Sequence, residues 1–199
     1  MVSRAPLPVT VVTATALEYR QARKLLPARV RVIRAGISLR AGAGTIGGLA
    51  ISCGLAGGLR NDLPTGSALI PHHVRRPDGT SVACDPEYVS ILSAAARDLG
   101  VLVCNDPLLT STQFICGAAR TAWAAHGFAG ADMESGLIHA ERLACVRIVL
   151  DTPGREISPA WLSGVRAAFD PRAWIDLPFL ARNGPACARS AALIVARAV

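Results

Sequence analysis

The chain has 199 residues, 51% of them apolar and 18% charged, with a mean hydropathy of +0.38, which excludes disorder and supplies material for a buried core. Its 21 basic and 14 acidic side chains give a net charge of +7. The arginines are spread along the chain and aromatics make up 5%, a pattern that argues against nucleic-acid binding and fits a mildly basic surface with some attraction for phosphate or anionic lipid.

Arg4 followed by the run Val9 to Leu17 faintly resembles a signal peptide, but that run is short, holds three threonines and meets Glu18. Val9 to Thr13 reads instead as a central parallel strand, and Leu17 to Leu26 as a helix. Arg29 to Arg34 alternates as a strand with one wet face. Ala41 to Leu59 has no charge and seven glycines; a membrane helix is considered, and a buried strand over Leu49 to Cys53 ending in the glycine turn Gly54 to Leu59 is preferred. Ser67 to Pro71 and Val101 to Cys104 read as strands, and Tyr88 to Asp98, opened by Asp85-Pro86, as a helix. Ala118 to His126 and Ser135 to Arg142 read as helices, and Val146 to Leu150 as a strand ending at Asp151. The tail from Pro159 to Val199 is expected to be helical and broken by Pro171, Pro178 and Pro185, and its last stretch, from Ala186, to pack on the domain.

This alternation predicts a single-domain three-layer α/β/α sandwich around a mixed, mostly parallel sheet. Ligands of such sheets lie beyond the carboxyl ends of the strands, which selects Thr13 to Glu18, Gly54 to Gly58, Thr110 to Ile115 and Asp151. The six cysteines show neither C-x-x-C nor zinc-ligand spacing and are expected as reduced thiols in a cytoplasmic protein. His72 and His73 are expected in a loop, and His126 and His139 on helix faces.

Glu18, Glu134 and Asp151 fall at strand ends or helix starts, where a carboxylate covered by loops faces a ligand. Each has an ordinary alternative: first-turn helix residue, cap and turn former. Ordered segments strengthen the functional reading. Ala14-x-x-x-Glu18, Gly54-Leu55-Ala56-Gly57-Gly58-Leu59, Thr65 to Pro71, Ser111 to Ile115, Asp132-Met133-Glu134 and Arg147 to Asp151 stand in an order that resembles the nucleoside phosphorylase/nucleosidase superfamily. The order is similar in particular to that of the 5′-methylthioadenosine/S-adenosylhomocysteine nucleosidases and their hopanoid-associated phosphorylase relatives, over roughly residues 8 to 157.

The resemblance implies cleavage of the bond between adenine and ribose C1′. Asp151 would be the general acid that protonates or hydrogen-bonds adenine N7, Glu134 would bind the ribose hydroxyls, and Glu18 would activate water. Met133 would line the ribose, Phe114 would stack on adenine, and the Ile115 backbone would read its Watson–Crick edge. Ala56 and Gly57 would let the backbone approach the sugar.

Leu55 stands where the nucleosidases often carry a small polar residue. The segment between Pro71 and Pro86 is short for the family, which suits an open 5′ pocket. The helix expected after Glu134 is clipped, which questions the placing of Glu134 over the sugar. No metal or organic cofactor is implied. Phosphate is an alternative co-substrate, with Arg20, Arg40 and Arg60 as candidates to hold it, and a nucleoside-binding module with little catalysis is a further alternative. The expected partners are a small nucleoside and a second copy of the chain; peripheral membrane contact is open, and neither nucleic acid nor a transmembrane segment is expected.

Overall fold

The computed structural model describes residues 7–162 and 169–199. Arg4 and the part of the expected tail at 163–168 lie outside the described residues. The elements in chain order are β1 (Val9–Thr13), α1 (Ala16–Leu25), β2 (Arg31–Arg34), β3 (Thr45–Gly58), β4 (Ala68–Leu69), β5 (His73–Arg75) and β6 (Ser81–Ala83). They continue with α2 (Pro86–Asp98), β7 (Val103–Cys104), β8 (Leu108–Thr110), α3 (Ala118–Ala125), β9 (Gly130–Asp132), β10 (His139–Asp151) and α4 (Pro171–Ala198).

One sheet runs β6-β5-β8-β9-β3-β10-β4-β7, with β1 and then β2 joined to β3. The β4–β10, β3–β9 and β5–β6 pairs are antiparallel and the other pairs are parallel, so the sheet is mixed and mostly parallel, with helices on both sides. Two long strands organise it. β3 and β10 lie side by side from Thr45 and His139 to Gly57 and Asp151, with irregularities between Ala140 and Arg142 and between Val149 and Asp151. Their middle residues, Leu49 to Ile51 and Leu143 to Cys145, are buried on both faces, as parallel strands covered by helices require.

Helix starts follow local chemistry. Thr15 caps α1 in a capping box with Glu18, and the Asp85 carboxylate accepts from Tyr88 N–H at 3.1 Å to open α2, with Pro86 at the first helical position. α4 packs against α1, α2, β3 and β10 through Ala188, Ala191, Ala192, Ile194 and Val195.

Five sequence expectations are corrected, the first being His73, which begins β5 paired with Ala83 and does not lie in a loop. The run Gly54 to Gly58 is the end of β3, not a turn. It stays extended because β10 pairs along it and β9 pairs with Gly57 and Gly58. Ser135 to Arg142 is one 3₁₀ turn, Ser135–Leu137, followed by the start of β10; strand pairing with Thr45 and Ile46 outweighs local helical preference. His139 therefore begins a strand, exposed, instead of lying on a helix. In the tail, Pro171 opens α4, and Pro178 and Pro185 sit inside it, both on its exposed side. There the missing N–H bonds and ring crowding fall on the solvent side, and the helix continues because its opposite face is packed. Among the described residues no helix is long and apolar enough to cross a membrane, and Ala41 to Leu59 is mostly strand.

Candidate active site

A cavity of about 170 Å³ opens at the carboxyl ends of β1, β3 and β10. Its wall takes Ala14, Thr15 and Glu18 from the β1–α1 junction, Leu55, Ala56 and Gly57 from β3, and Phe114 and Ile115 from the β8–α3 connection. Met133 and Glu134 follow β9, and Asp151 ends β10. All eight site residues expected from the sequence line this one space, and Glu18, Glu134 and Asp151 are each at most 6% exposed.

Glu18 is held from two elements. Its Oε2 accepts from the N–H groups of Ala14 and Thr15 at 3.1 and 2.6 Å and from Thr15 Oγ1 at 2.9 Å, while Oε1 accepts from Leu55 N–H at 2.9 Å. The first-turn helix position and the place in the cavity wall are thus the same structure: the capping box fixes the carboxylate against β3. Gly54 makes this approach possible. A Cβ there would run into Glu18 Oε1 and stand 2.8 Å from Arg147 Nη1.

Arg147, 1% exposed, is the hub of the acidic side of the cavity. Its Nε lies 2.9 Å from Asp132 Oδ2 and donates to Ser135 Oγ at 3.1 Å; its Nη2 donates to Ser52 Oγ at 2.7 Å and lies 3.4 Å from Glu134 Oε2. Burial works against its charge, but Asp132, Glu134 and Glu18 together raise its pKa. Asp132 accepts further bonds from Thr110 Oγ1 at 2.6 Å and from the N–H and hydroxyl of Ser135. Glu134 has fewer partners. Its Oε1 accepts from Ser38 N–H at 3.1 Å, and burial, opposed by Arg147 and reinforced by Asp132, pushes its pKa up to about 7. Ser38 itself has a positive φ of 53°, as does Leu39, so the segment reaching Glu134 is held in a conformation that side chains resist.

A second buried arginine meets Asp151. Arg120 of α3, 1% exposed, ion-pairs through Nη2 with Asp151 Oδ2. Its Nη1 donates to the Gly58 carbonyl at 2.7 Å, and its Nε donates to the Ile115 carbonyl at 3.1 Å and lies 3.2 Å from Glu156. Ile157 N–H also donates to Asp151 Oδ2, at 3.3 Å. Burial raises the Asp151 pKa while Arg120 restrains the rise.

Sequence reading missed Arg120 and gave Asp132 no role of its own. One signal was present: Arg120 is the single charged residue of the apolar helix Ala118–Ala125. Arg20, Arg40 and Arg60 are not in the cavity wall; the first two are exposed, and Arg60 pairs with Asp62 and Asp106. The clipped connection after Glu134 still brings that residue to the cavity, because a single 3₁₀ turn joins it to β10.

No protein-family profile matches the sequence, and no curated protein is significantly similar to it. Solved structures are similar in fold. The 5′-methylthioadenosine/S-adenosylhomocysteine nucleosidase from Neisseria meningitidis, in complex with methylthio-immucillin-A, superposes with a TM-score of 0.69 at 16% identity, covering 96% of this chain and 97% of that one. This is the nucleosidase fold. S-adenosylhomocysteine nucleosidase from Streptococcus pyogenes gives 0.69 at 12% identity, covering 98% and 97%, and futalosine hydrolase of Helicobacter pylori gives 0.67 at 12%, covering 96% of each chain. The nucleosidase fold carries the α/β architecture expected from the sequence.

Proposed function

We propose that the chain hydrolyses the N-glycosidic bond of a 5′-substituted adenosine. The observation that carries this reading is that Glu18, Glu134 and Asp151, from three separate parts of the chain, wall one cavity together with the aromatic Phe114. Cleavage of a ribosyl–purine bond develops positive charge on the sugar and negative charge on the base, and a site for it needs acceptors at the sugar and a neutralising group at the base. Glu134 and Glu18 supply the first. Ionised Glu134 accepts from the ribose hydroxyls, and Glu18, whose Oε1 carries one hydrogen bond among the described residues, has acceptor capacity for the attacking water. Asp151 and its partner Arg120 stand at the base, with Phe114 against its face. The nucleosidases of like fold act on, or are named for, 5′-methylthioadenosine and S-adenosylhomocysteine, which suggests the substrate class.

Hydrolysis is favoured over phosphorolysis by the charge of the wall. Glu18, Glu134, Asp132 and Asp151 line it, and Arg120, its one cation among the described residues, is already engaged with Asp151. A phosphate dianion would be repelled. Adenine release from 5′-methylthioadenosine and longer-tailed adenosines, measured chromatographically with and without phosphate, tests this. Equal release in both conditions is expected, with Glu18→Gln slowing it by about 10²–10⁴-fold. Phosphate-dependent release would make the chain a phosphorylase, and binding without release would make it a nucleoside-binding module.

A further inference from the structure

Arg120 has a place in this site that sequence motifs do not account for. A guanidinium has five N–H groups. The Nε–H is shared by Ile115 and Glu156, the Nη1 hydrogens face the carbonyls of Gly58 and Asp151, and one Nη2 hydrogen goes to Asp151 Oδ2. Among the described residues the second Nη2 hydrogen has no acceptor, and Asp151 Oδ1 accepts no hydrogen bond. Both atoms border the same glycine: a Cβ on Gly57 would lie 3.1 Å from Asp151 Oδ1 and 3.4 Å from Arg120 Nη2. Gly57, Asp151 and Arg120 all line the cavity. The wall therefore offers a charged donor and a carboxylate acceptor side by side. The exposed edge of adenine offers the complement, an acceptor at N7 and a donor at the 6-amino group.

We propose that Arg120 is a catalytic residue that donates to N7 of the departing adenine, while Asp151 accepts from the 6-amino group, so that a fixed guanidinium charge and not a proton from Asp151 neutralises the base. This rests on the glycosidase reading and replaces the acid role that the family resemblance implies for Asp151. As the C1′–N9 bond breaks, its electron pair stays on the base, whose negative charge spreads from N9 to N7 beside Arg120. The oxygen of water bonds to C1′, and its proton passes to Glu18. That proton reaches the base through solvent as adenine leaves, so the products are neutral adenine and the free sugar. Preorganised charge of this kind needs no proton in flight at the moment of cleavage.

The pH profile of kcat/KM separates the two mechanisms. Arg120 is faced by Asp151 and Glu156, Asp151 by Arg120 and Glu156, and across the cavity stand Glu18, Glu134, Asp132 and Arg147. A guanidinium keeps its charge through the whole working range. Activity of the wild-type protein on 5′-methylthioadenosine is therefore expected to rise as Glu134 ionises and then hold level to about pH 10. Arg120→Lys is expected to add a new alkaline limb, because lysine loses its charge in that range and earlier when buried. Arg120→Met is expected to lower kcat by about 10²–10³-fold with a much smaller change in KM. If the Met variant fails to fold, judged by circular dichroism, the wild-type and Lys profiles decide. A wild-type profile that falls as pH rises above neutrality, or a Lys variant with the wild-type plateau, overturns the role of Arg120. A wild-type protein that cleaves no adenosine derivative overturns the glycosidase reading itself.

Discussion

Enclosed beside Asp132 and Arg147, Glu134 keeps its proton up to about pH 7, against 4.5 for a free glutamate. The folded state then binds more protons than the unfolded chain between these values, and stability falls as pH rises from 4.5 through 7. The loss attributable to this one group is about 3 kcal/mol, and is complete above pH 7. Glu134→Gln should remove that component: thermal melts at pH 5 and 8 should differ less in the variant than in the wild type. On the proposed reading nucleoside affinity should run the other way, tightening as pH rises through 7, because ribose hydroxyls would donate to the ionised form. Gly54→Ala should cost at least about 1–3 kcal/mol, since its methyl meets Glu18 and Arg147, and should impair catalysis with it. Gly47→Ala, whose nearest neighbour is Glu141 Oε1 at 4.0 Å, is the neutral control for both melting and activity. The cysteines behave as expected from composition: five are buried, and burial pushes Cys53 up to about 12 and Cys187 to about 11. Mass spectrometry after brief alkylation of the native protein should find label on exposed Cys116 alone. At this scale the acids were readable because strand ends and motif order marked them. Arg147 and Asp132 were visible only as motif letters, since nothing local distinguishes a fully buried ion pair from a surface one.

Among the elements, the short caps were readable and the long-range pairings were not. Asp85-Pro86 and Thr15 to Glu18 each specify a helix start within four residues, so their signal is local. The 3₁₀ turn and strand over 135–142 contradict a helical pattern because β3, some 90 residues earlier, supplies the hydrogen-bonding edge. The prolines of α4 were misread for the same reason: packing on β3 and β10 sustains a helix that its own sequence would interrupt. This leaves a measurable defect. Pro185→Ala restores one main-chain bond on an exposed face, offset by greater freedom of the unfolded chain, and should raise stability by about 1–2 kcal/mol, roughly 2–8 °C in melting temperature. Nucleoside cleavage should be unchanged. An unaltered melting temperature would mean that the packing of the helix gains nothing from the bond.

For the whole molecule, the class of fold was legible because buried strands alternating with amphipathic helices have few stable arrangements. The cavity was legible in position, since the sheet's carboxyl edge is where such folds gather loops, and its charge pairing was not. The irregularity near the end of β10 decides that pairing. Arg147 is matched with Gly54 and Asp151 with Gly57. An unbroken ladder from Arg147 would have matched Asp151 with Gly58, and two residues four apart on a regular strand share a side. One surplus residue shifts the count from even to odd, and each arginine has its own carboxylates: Arg147 those of Asp132 and Glu134, Arg120 that of Asp151. Deleting a single position there would turn Asp151 to the side of Arg147 and bring both ion pairs together.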